Sequence, residues 1–162
     1  MTHDVRAVAN AILDFAAAEN YPVTNLSLNK IIYFLHAGYL HEFEKPLVSA
    51  KIEAWDHGPV LREIYHQFKR FGAQPVQGRA KRLDPDRGTL VEVRETLSEE
   101  ALTYIHSHLT ELLRIPAGKL VDMSHVPDGA WYAARYGNVM VNPGVEITDD
   151  LIHRSGTTQA KH

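Results

Sequence analysis

The sequence contains no cysteine among its 162 residues, which excludes thiol catalysis, cysteine-ligated zinc and disulfide scaffolds. No apolar run approaches the roughly 18 residues that suggest a membrane span. Residues 1–6 also lack the basic-then-apolar pattern of a signal peptide. The formal net charge of -3 argues against a surface dominated by nucleic-acid or anionic-lipid binding. We therefore expect a cytoplasmic protein without membrane association.

What the sequence does contain is typical of one globular domain. Its length fits a single domain, and its 44% hydrophobic and 23% charged residues are ordinary for a globular chain. A chain of this size buries about 70% of its unfolded surface, so it needs no metal or disulfide to hold a core. We expect one domain over residues 1–154. The tail 155–162 has no pattern and is predicted to be disordered.

Two amphipathic helices are predicted in the first quarter of the chain. Apolar residues recur at helical spacing from Val5 to Ala16, and again from Leu28 to Tyr39. The second segment has further apolar residues beside its stripe, which places it near the centre of the fold. The predicted N-caps are Thr2 or Asp4 for the first helix, and Asn25 or Ser27 for the second.

Further helices follow from cap and stop residues. A third helix is predicted to begin at Pro59, because proline has no N–H to lose at the first helical position, and to end at Gly72. A fourth is predicted after the cap Ser98, with its apolar stripe over 102–112. Shorter helical segments are predicted at 116–123, 131–136 and 148–152, and a turn at 142–144.

Extended structure is predicted in two places. In the segment 46–55, Ile52 and Ala54 alternate with Lys51 and Glu53. The turn residues 84–88 join 79–83 to 89–94 and predict a hairpin, which must pack on the helices or pair with residues 50–55. The fold class is therefore α+β and predominantly α-helical. Four main helices and short C-terminal helices share one core with a small antiparallel hairpin or sheet.

No motif of an enzyme family is present, and the ten histidines form no ligand pattern. His106 and His108 are two apart on a helix and project from different faces, so we interpret His106 as a partly buried packing residue. His57 and His125 stand in more distinctive contexts, but acid–base catalysis needs a partner at hydrogen-bond distance. We predict no catalytic residue, no metal and no cofactor.

One basic concentration supports an alternative function. Lys69, Arg70, Arg79, Lys81 and Arg82 are close in sequence, and on a strand Arg79 and Lys81 share one face. That face could contact phosphate as part of a nucleic-acid-binding regulator of a mobile genetic element. The acidic total charge favours a solvated hairpin face instead, so nucleic-acid binding is not our main prediction.

The aromatic residues are predicted to be structural in the first instance. Trp55 and Trp131 carry large apolar area and are expected in the core or at its edge. Tyr33, Phe34 and Tyr39 lie at helical spacing and are expected in the core. From the residues alone, the sequence predicts an α+β domain with no visible active site.

Three blocks in fixed order resemble the Panacea domain, the SocA-like antitoxin family also described as phage-associated GepA-like proteins. The first is Leu28-Asn29-Lys30-Ile31-Ile32-Tyr33-Phe34, the second is Trp55-Asp56-His57-Gly58-Pro59-Val60, and the third joins Ser124-His125 to Trp131 and Ala134-Arg135. His57 stands where the family usually has tyrosine, and Asn29 and Ser124 replace the commoner glutamine and threonine. The resemblance extends from about residue 5 to residue 152.

The resemblance implies a non-enzymatic antitoxin of a type II toxin-antitoxin system. Its partner would be a cognate protein toxin, neutralised through a direct complex. A variation within the family is a proteolytic adaptor, which delivers the toxin to a cytosolic AAA+ protease (ClpXP-like). The oligomeric state and the choice between masking and delivery stay open.

The resemblance and the residue chemistry together predict a shallow partner-binding groove. Its predicted members are Lys30, Tyr33, Trp55, Asp56, His57, Tyr65, His125 and Trp131, with Gly58, Pro59 and Val60 as the rigid scaffold. Two alternatives remain beside it. In one, several of these residues only hold the fold together. In the other, the toxin-specific surface lies in the hairpin near 75–95.

Overall fold

A computed structural model describes residues 2–137 and 144–155. The predicted α+β, predominantly helical class is confirmed, with two small antiparallel sheets among the helices. The predicted turn at 142–144 and tail at 155–162 lie almost wholly outside the described residues. The elements are α1 (Val5–Ala18), α2 (Asn25–Phe43), β1 (Ile52–Trp55), β2 (Gly58–Leu61), α3 (Arg62–Phe68), β3 (Lys81–Asp84), β4 (Thr89–Glu92), α4 (Glu99–Leu113), α5 (Ala117–Ser124), α6 (Ala130–Tyr136) and α7 (Asp149–Arg154).

Helix α2 lies at the centre of the fold, as its wide apolar surface predicts. It packs against α1, α3, α4, α5, α7 and β2. Its buried residues face several directions and include the polar side chains Asn29, Lys30 and His36. A helix buried on more than one face must pair its polar groups inside the protein. His36 does so, since its Nε2 lies 2.8 Å from Asp149 at the start of α7.

The N-terminal caps show where local sequence is decisive and where it misleads. Asp4 caps α1 by accepting from the backbone N–H of Arg6 at 2.8 Å, as predicted. The prediction of Asn25 or Ser27 for α2 is wrong, because Thr24 is the N-cap. Thr24 and Ser27 form a reciprocal capping box, with bonds of 3.0 and 3.1 Å between the side chain of each and the backbone N–H of the other. The Asn25 side chain instead donates to the carbonyl of Tyr65.

The predicted helix start at Pro59 is also wrong. Gly58–Leu61 is strand β2, paired antiparallel with β1, and α3 begins only at Arg62. Proline is tolerated on an edge strand where its missing N–H would point away from the partner strand. Local sequence does not distinguish this position from a first helical turn, since proline fits both.

Strand β1 is covered on both edges. β2 pairs with one edge, and on the other the N–H of Ala54 donates to Val145 and the N–H of Ile147 donates to Ile52, both at 2.8 Å. Glu53, between the buried residues Ile52 and Ala54 of β1, is itself only 3% exposed. Its carboxylate accepts from the Trp55 indole at 2.9 Å and lies within 4 Å of Lys51 and Arg62.

The predicted hairpin is confirmed as β3 and β4, joined by the turn after Asp84. It does not pair with β1, and hydrogen bonds attach its base to α1 instead. The buried side chain of Asn10 on α1 holds its base: Nδ2 donates to Ala80 at 3.0 Å and to Val93 at 2.9 Å, and Oδ1 accepts from the N–H of Ala80 at 2.7 Å. The hairpin tip, by contrast, exposes Leu83 and Leu90.

The C-terminal half follows the predicted helices closely. Ser98 caps α4 and Thr148 caps α7, each by accepting from the N–H three residues on. The interpretation of His106 as partly buried is wrong, because its side chain is exposed and stacks on the ring of Phe15. In the ranges 2–137 and 144–155, no helix combines the length and apolar character that crossing a membrane requires.

We expect Asn10→Ala to lower the free energy of unfolding by roughly 2–5 kcal/mol, because it leaves buried backbone groups of Ala80 and Val93 unpaired. Asp14→Ala is the matched control on the same helix. It removes exposed ion pairs to Arg79 and Arg94 and should cost less than about 1 kcal/mol. Denaturant unfolding measures both values, and similar costs would contradict the anchoring role of Asn10.

Candidate functional site

The β1–β2 turn is the centre of the candidate site. Trp55 pairs with Gly58 across the hairpin, so Asp56 and His57 form its two-residue loop and are exposed. Gly58 has a φ of 109°, which side-chain-bearing residues rarely adopt. Glycine at this position therefore allows the two-residue turn between β1 and β2 to close.

Gly58 is also required because neighbouring side chains approach its Cα. A Cβ added there would lie 2.6 Å from Oγ of Ser124 and 2.7 Å from Cε of Lys30. Ser124 is buried at the end of α5, and Lys30 is buried on α2. Helices α2 and α5 and the β1–β2 turn thus meet at Gly58, which has no side chain.

Lys30 is the buried cation of the site. Its side chain is 0% exposed, and its Nζ donates to the carbonyl of Pro59 at 2.9 Å. Burial lowers the pKa of Lys30 to about 7, because the protein interior solvates an ammonium poorly. Near neutral pH this amine is therefore divided between its charged and neutral forms.

A pocket of about 330 Å³ opens beside this turn. Trp55 and Tyr65 form one wall, with ring centroids 4.8 Å apart in an edge-to-face arrangement. The pocket is largely apolar, and Lys30 is its buried charged residue. Its lining consists of Asn25, Leu26, Asn29, Lys30, Trp55, Asp56, His57, Val60, Tyr65 and Gly72.

Helix α6 fixes the turn from behind the pocket. The indole N–H of Trp131 donates to the carbonyl of Trp55 at 2.7 Å. Arg135 donates to the carbonyl of Ala54 at 3.0 Å and forms an ion pair with Asp56. Three backbone and side-chain groups of the hairpin are therefore bonded to one helix, which makes the turn rigid.

His125 completes the polar side of the site. Its ring stacks on Trp131 with centroids 3.8 Å apart. Burial lowers the pKa of His125, and the nearby positive charge of Lys30 lowers it further. Among the described residues its buried Nε2 has no hydrogen-bond partner. The imidazole is therefore held neutral at neutral pH.

The structure brings together most of the predicted groove. Lys30, Trp55, Asp56, His57 and Tyr65 line the pocket, as does the predicted scaffold residue Val60. His125 lies next to it. Tyr33 and Trp131 are buried in the core and are not among the residues that line the pocket. The remaining scaffold residues Gly58 and Pro59 contact Lys30 directly.

Sequence reasoning missed four lining residues: Asn25, Leu26, Asn29 and Gly72. Asn29 is the most informative, since its Oδ1 accepts from the N–H of Leu61 at 2.9 Å and its Nδ2 donates to Asn25. A polar residue inside an apolar helix stripe was the available signal, because such a side chain needs a buried partner.

The basic face of the alternative prediction is largely neutralised. Arg79 bonds to Asp14 at 2.6 Å, and Arg82 forms ion pairs with Glu95 and Asp4. Phosphate would have to displace these carboxylates, which disfavours a nucleic-acid interface here. The described residues also bring no group of three or more histidine or acidic side chains into an arrangement that could hold a metal ion.

We expect Gly58→Ala to cost roughly 2–4 kcal/mol, from backbone strain at positive φ and from contact with Ser124 and Lys30. Gly88→Ala is the matched control, because Gly88 has a φ of 67° and nothing within 4 Å of its added Cβ. It should cost only about 1–2 kcal/mol. Equal costs in denaturant unfolding would show that the close approach at Gly58 is unimportant.

Lys30→Met should change how stability depends on pH. Between about pH 7 and pH 10 the unfolded lysine keeps its proton while the folded one has lost it, so wild-type stability rises with pH. The variant lacks this gain, and the wild type should improve relative to it by up to roughly 1.4 kcal/mol per pH unit.

Denaturant unfolding across that pH range tests this prediction. Lys119→Met is the control at an exposed lysine and should follow the wild-type profile. Parallel profiles for Lys30→Met and the wild type would contradict a lowered pKa at Lys30.

Comparison with known proteins places the chain in a family. Residues 28–132 match the family described as antitoxin SocA-like, Panacea domain. Over 150 residues the chain is 35% identical to Antitoxin SocA of Caulobacter vibrioides (strain NA1000 / CB15N), covering 92% of this chain and 80% of that relative. No solved structure matches the chain significantly. With a match over more than half its length and a relative of this identity, the chain belongs to the SocA-like antitoxin family and carries its Panacea domain.

Proposed function

We propose that the chain is a cytoplasmic antitoxin of a type II toxin-antitoxin system, which neutralises a protein toxin by binding it directly. The pocket beside the β1–β2 turn carries this proposal. It is a concave, largely apolar site with a few convergent polar groups, which is the usual form of a binding site. All its lining residues except Asn25 and Leu26 fall within the residues that match the family.

The geometry suits occupancy by a partner better than turnover of a substrate. Trp55 and Tyr65 offer aromatic area at the surface, and aromatic residues in such pockets commonly dominate binding energy. Arg135 and Trp131 hold the turn in place from α6, so little ordering is required when a partner binds. The protein would thus act as a preformed platform for a toxin segment.

The relative from Caulobacter vibrioides also supports the antitoxin role. That Caulobacter protein is named as an antitoxin, and its similarity extends along 92% of this chain. Neutralisation can proceed by masking the toxin or by delivering it to a AAA+ protease. Measuring the lifetime of the toxin in cells distinguishes masking from delivery to a protease, because masking leaves that lifetime unchanged and delivery shortens it.

Co-expression with the product of the neighbouring gene, as the candidate toxin, tests the proposal. The chain should restore growth and co-purify with the toxin. Trp55→Ala and Tyr65→Ala should each weaken the complex by about tenfold or more, measured by calorimetry on variants whose circular dichroism matches the wild type. Absence of a complex with the wild type would refute direct binding.

A matched pair of substitutions tests the competing surface. Leu83→Ser with Leu90→Ser alters the exposed hairpin tip, where these side chains are 59% and 66% exposed. This double variant should bind the toxin like the wild type. Loss of binding in the hairpin variant, with binding kept in the pocket variants, would place the toxin surface on the hairpin instead.

A further inference from the structure

The buried amine of Lys30 lacks an anionic partner. Its Nζ donates to the neutral carbonyl of Pro59, and in the part of the chain that the structure describes no carboxylate forms an ion pair with it. The two carboxylates of the adjacent hairpin are used elsewhere: Asp56 pairs with Arg135, and Glu53 accepts from Trp55. A buried cation without a counter-charge costs free energy, and an incoming anion would remove much of that cost.

The walls around Lys30 define what kind of group can bring that anion. Trp55, Tyr65, Leu26 and Val60 offer hydrocarbon surface to the pocket. The amide of Asn29 is already used, since it bonds to the N–H of Leu61 and to Asn25. A suitable ligand therefore has an apolar stem and one charged acceptor at its end.

The charged surroundings favour a negative ligand as well. His125 is close enough to Lys30 for the two to interact electrostatically, and Arg135 has already neutralised Asp56 at the pocket rim. The titratable and charged groups around the site are Asp56 and His57 in the turn, Tyr65 on α3, Asp122 and His125 at the end of α5, and Arg135 on α6.

We propose that this pocket receives the side-chain carboxylate of a single Asp or Glu from the toxin, which pairs with Lys30 while neighbouring apolar atoms pack on Trp55 and Tyr65. The inference rests on the proposed function and names the chemistry of the bound segment. Such a side chain carries the apolar stem and the single charged acceptor that the pocket walls and Lys30 would accommodate.

This pairing makes toxin affinity depend on pH. Burial lowers the pKa of free Lys30 to about 7, and a bound carboxylate raises that pKa by stabilising the ammonium. The complex therefore forms at full strength below about pH 7, where Lys30 is already charged. Above that pH, binding must include uptake of a proton, and affinity falls by up to about tenfold per pH unit.

Lys30→Met is the sharpest variant because it keeps the length of the side chain and removes its charge. We expect it to fold with at least wild-type thermal stability near neutral pH, since replacing a buried charge by an apolar isostere is commonly neutral or stabilising. Its complex with the neighbouring gene's toxin should be about tenfold or more weaker than the wild type near pH 6. The affinity of the variant should also change less between about pH 6 and pH 9 than that of the wild type.

Replacing each toxin Asp and Glu in turn by Asn or Gln identifies the carboxylate. One such change should weaken the wild-type complex about as much as Lys30→Met does, with little further loss when the two are combined. Lys119→Met serves as the control and should leave the affinity unchanged.

Three results would overturn the proposal, and each is distinct. If Lys30→Met binds within about twofold of the wild type while Trp55→Ala loses binding, the pocket holds the toxin without a carboxylate. If Lys30→Met loses binding but no toxin acid shows the shared loss, the partner of Lys30 is another group. If the wild type forms no complex with the toxin at all, the proposed function fails and this inference fails with it.

Discussion

Two neighbouring side chains of α2 bond to the outer edge of β2, and the site depends on this contact. Lys30 donates to the carbonyl of Pro59, and Asn29 accepts from the N–H of Leu61. Strand β2 has only β1 as a neighbour in its sheet, so these backbone groups would otherwise be buried without partners. The contact fastens the hairpin to the central helix, and the turn that it positions forms the mouth of the pocket. Because the helix is itself packed on several sides, the position of the turn follows from the core.

The sequence could predict many of the features that a few adjacent residues determine. Apolar spacing predicts α1, α2 and α4, while Asp4, Ser98 and Thr148 act as caps because each reaches an N–H two or three residues ahead. The hairpin turn after Asp84 is likewise determined by adjacent residues. What failed were choices between two locally acceptable states. Proline at position 59 suits a helix start or an edge strand, and only the pairing with β1 decides between them.

Sequence reasoning named six of the ten residues that line the pocket, but not how deeply each site residue is buried. The resemblance named Lys30, Trp55, His57 and Tyr65, and the structure brings them to one pocket. The resemblance did not distinguish residues that line the pocket from residues that support it. In the structure, Tyr33 and Trp131 are buried below the surface. Depth depends on contacts between residues far apart in the chain, such as the bond from Trp131 to Trp55. No local pattern in a single sequence records such contacts.

The attachment of the β3–β4 hairpin affects which of its positions can tolerate mutation during evolution. Asn10 fixes the base of the hairpin through three buried hydrogen bonds, whereas its leucine pair at the tip is solvated. Substitutions at the base disturb buried polar groups and are costly, but those at the tip meet mainly water and cost little. Mutations can therefore accumulate at the tip without loss of the folded state, so this loop is where related chains can diverge most freely.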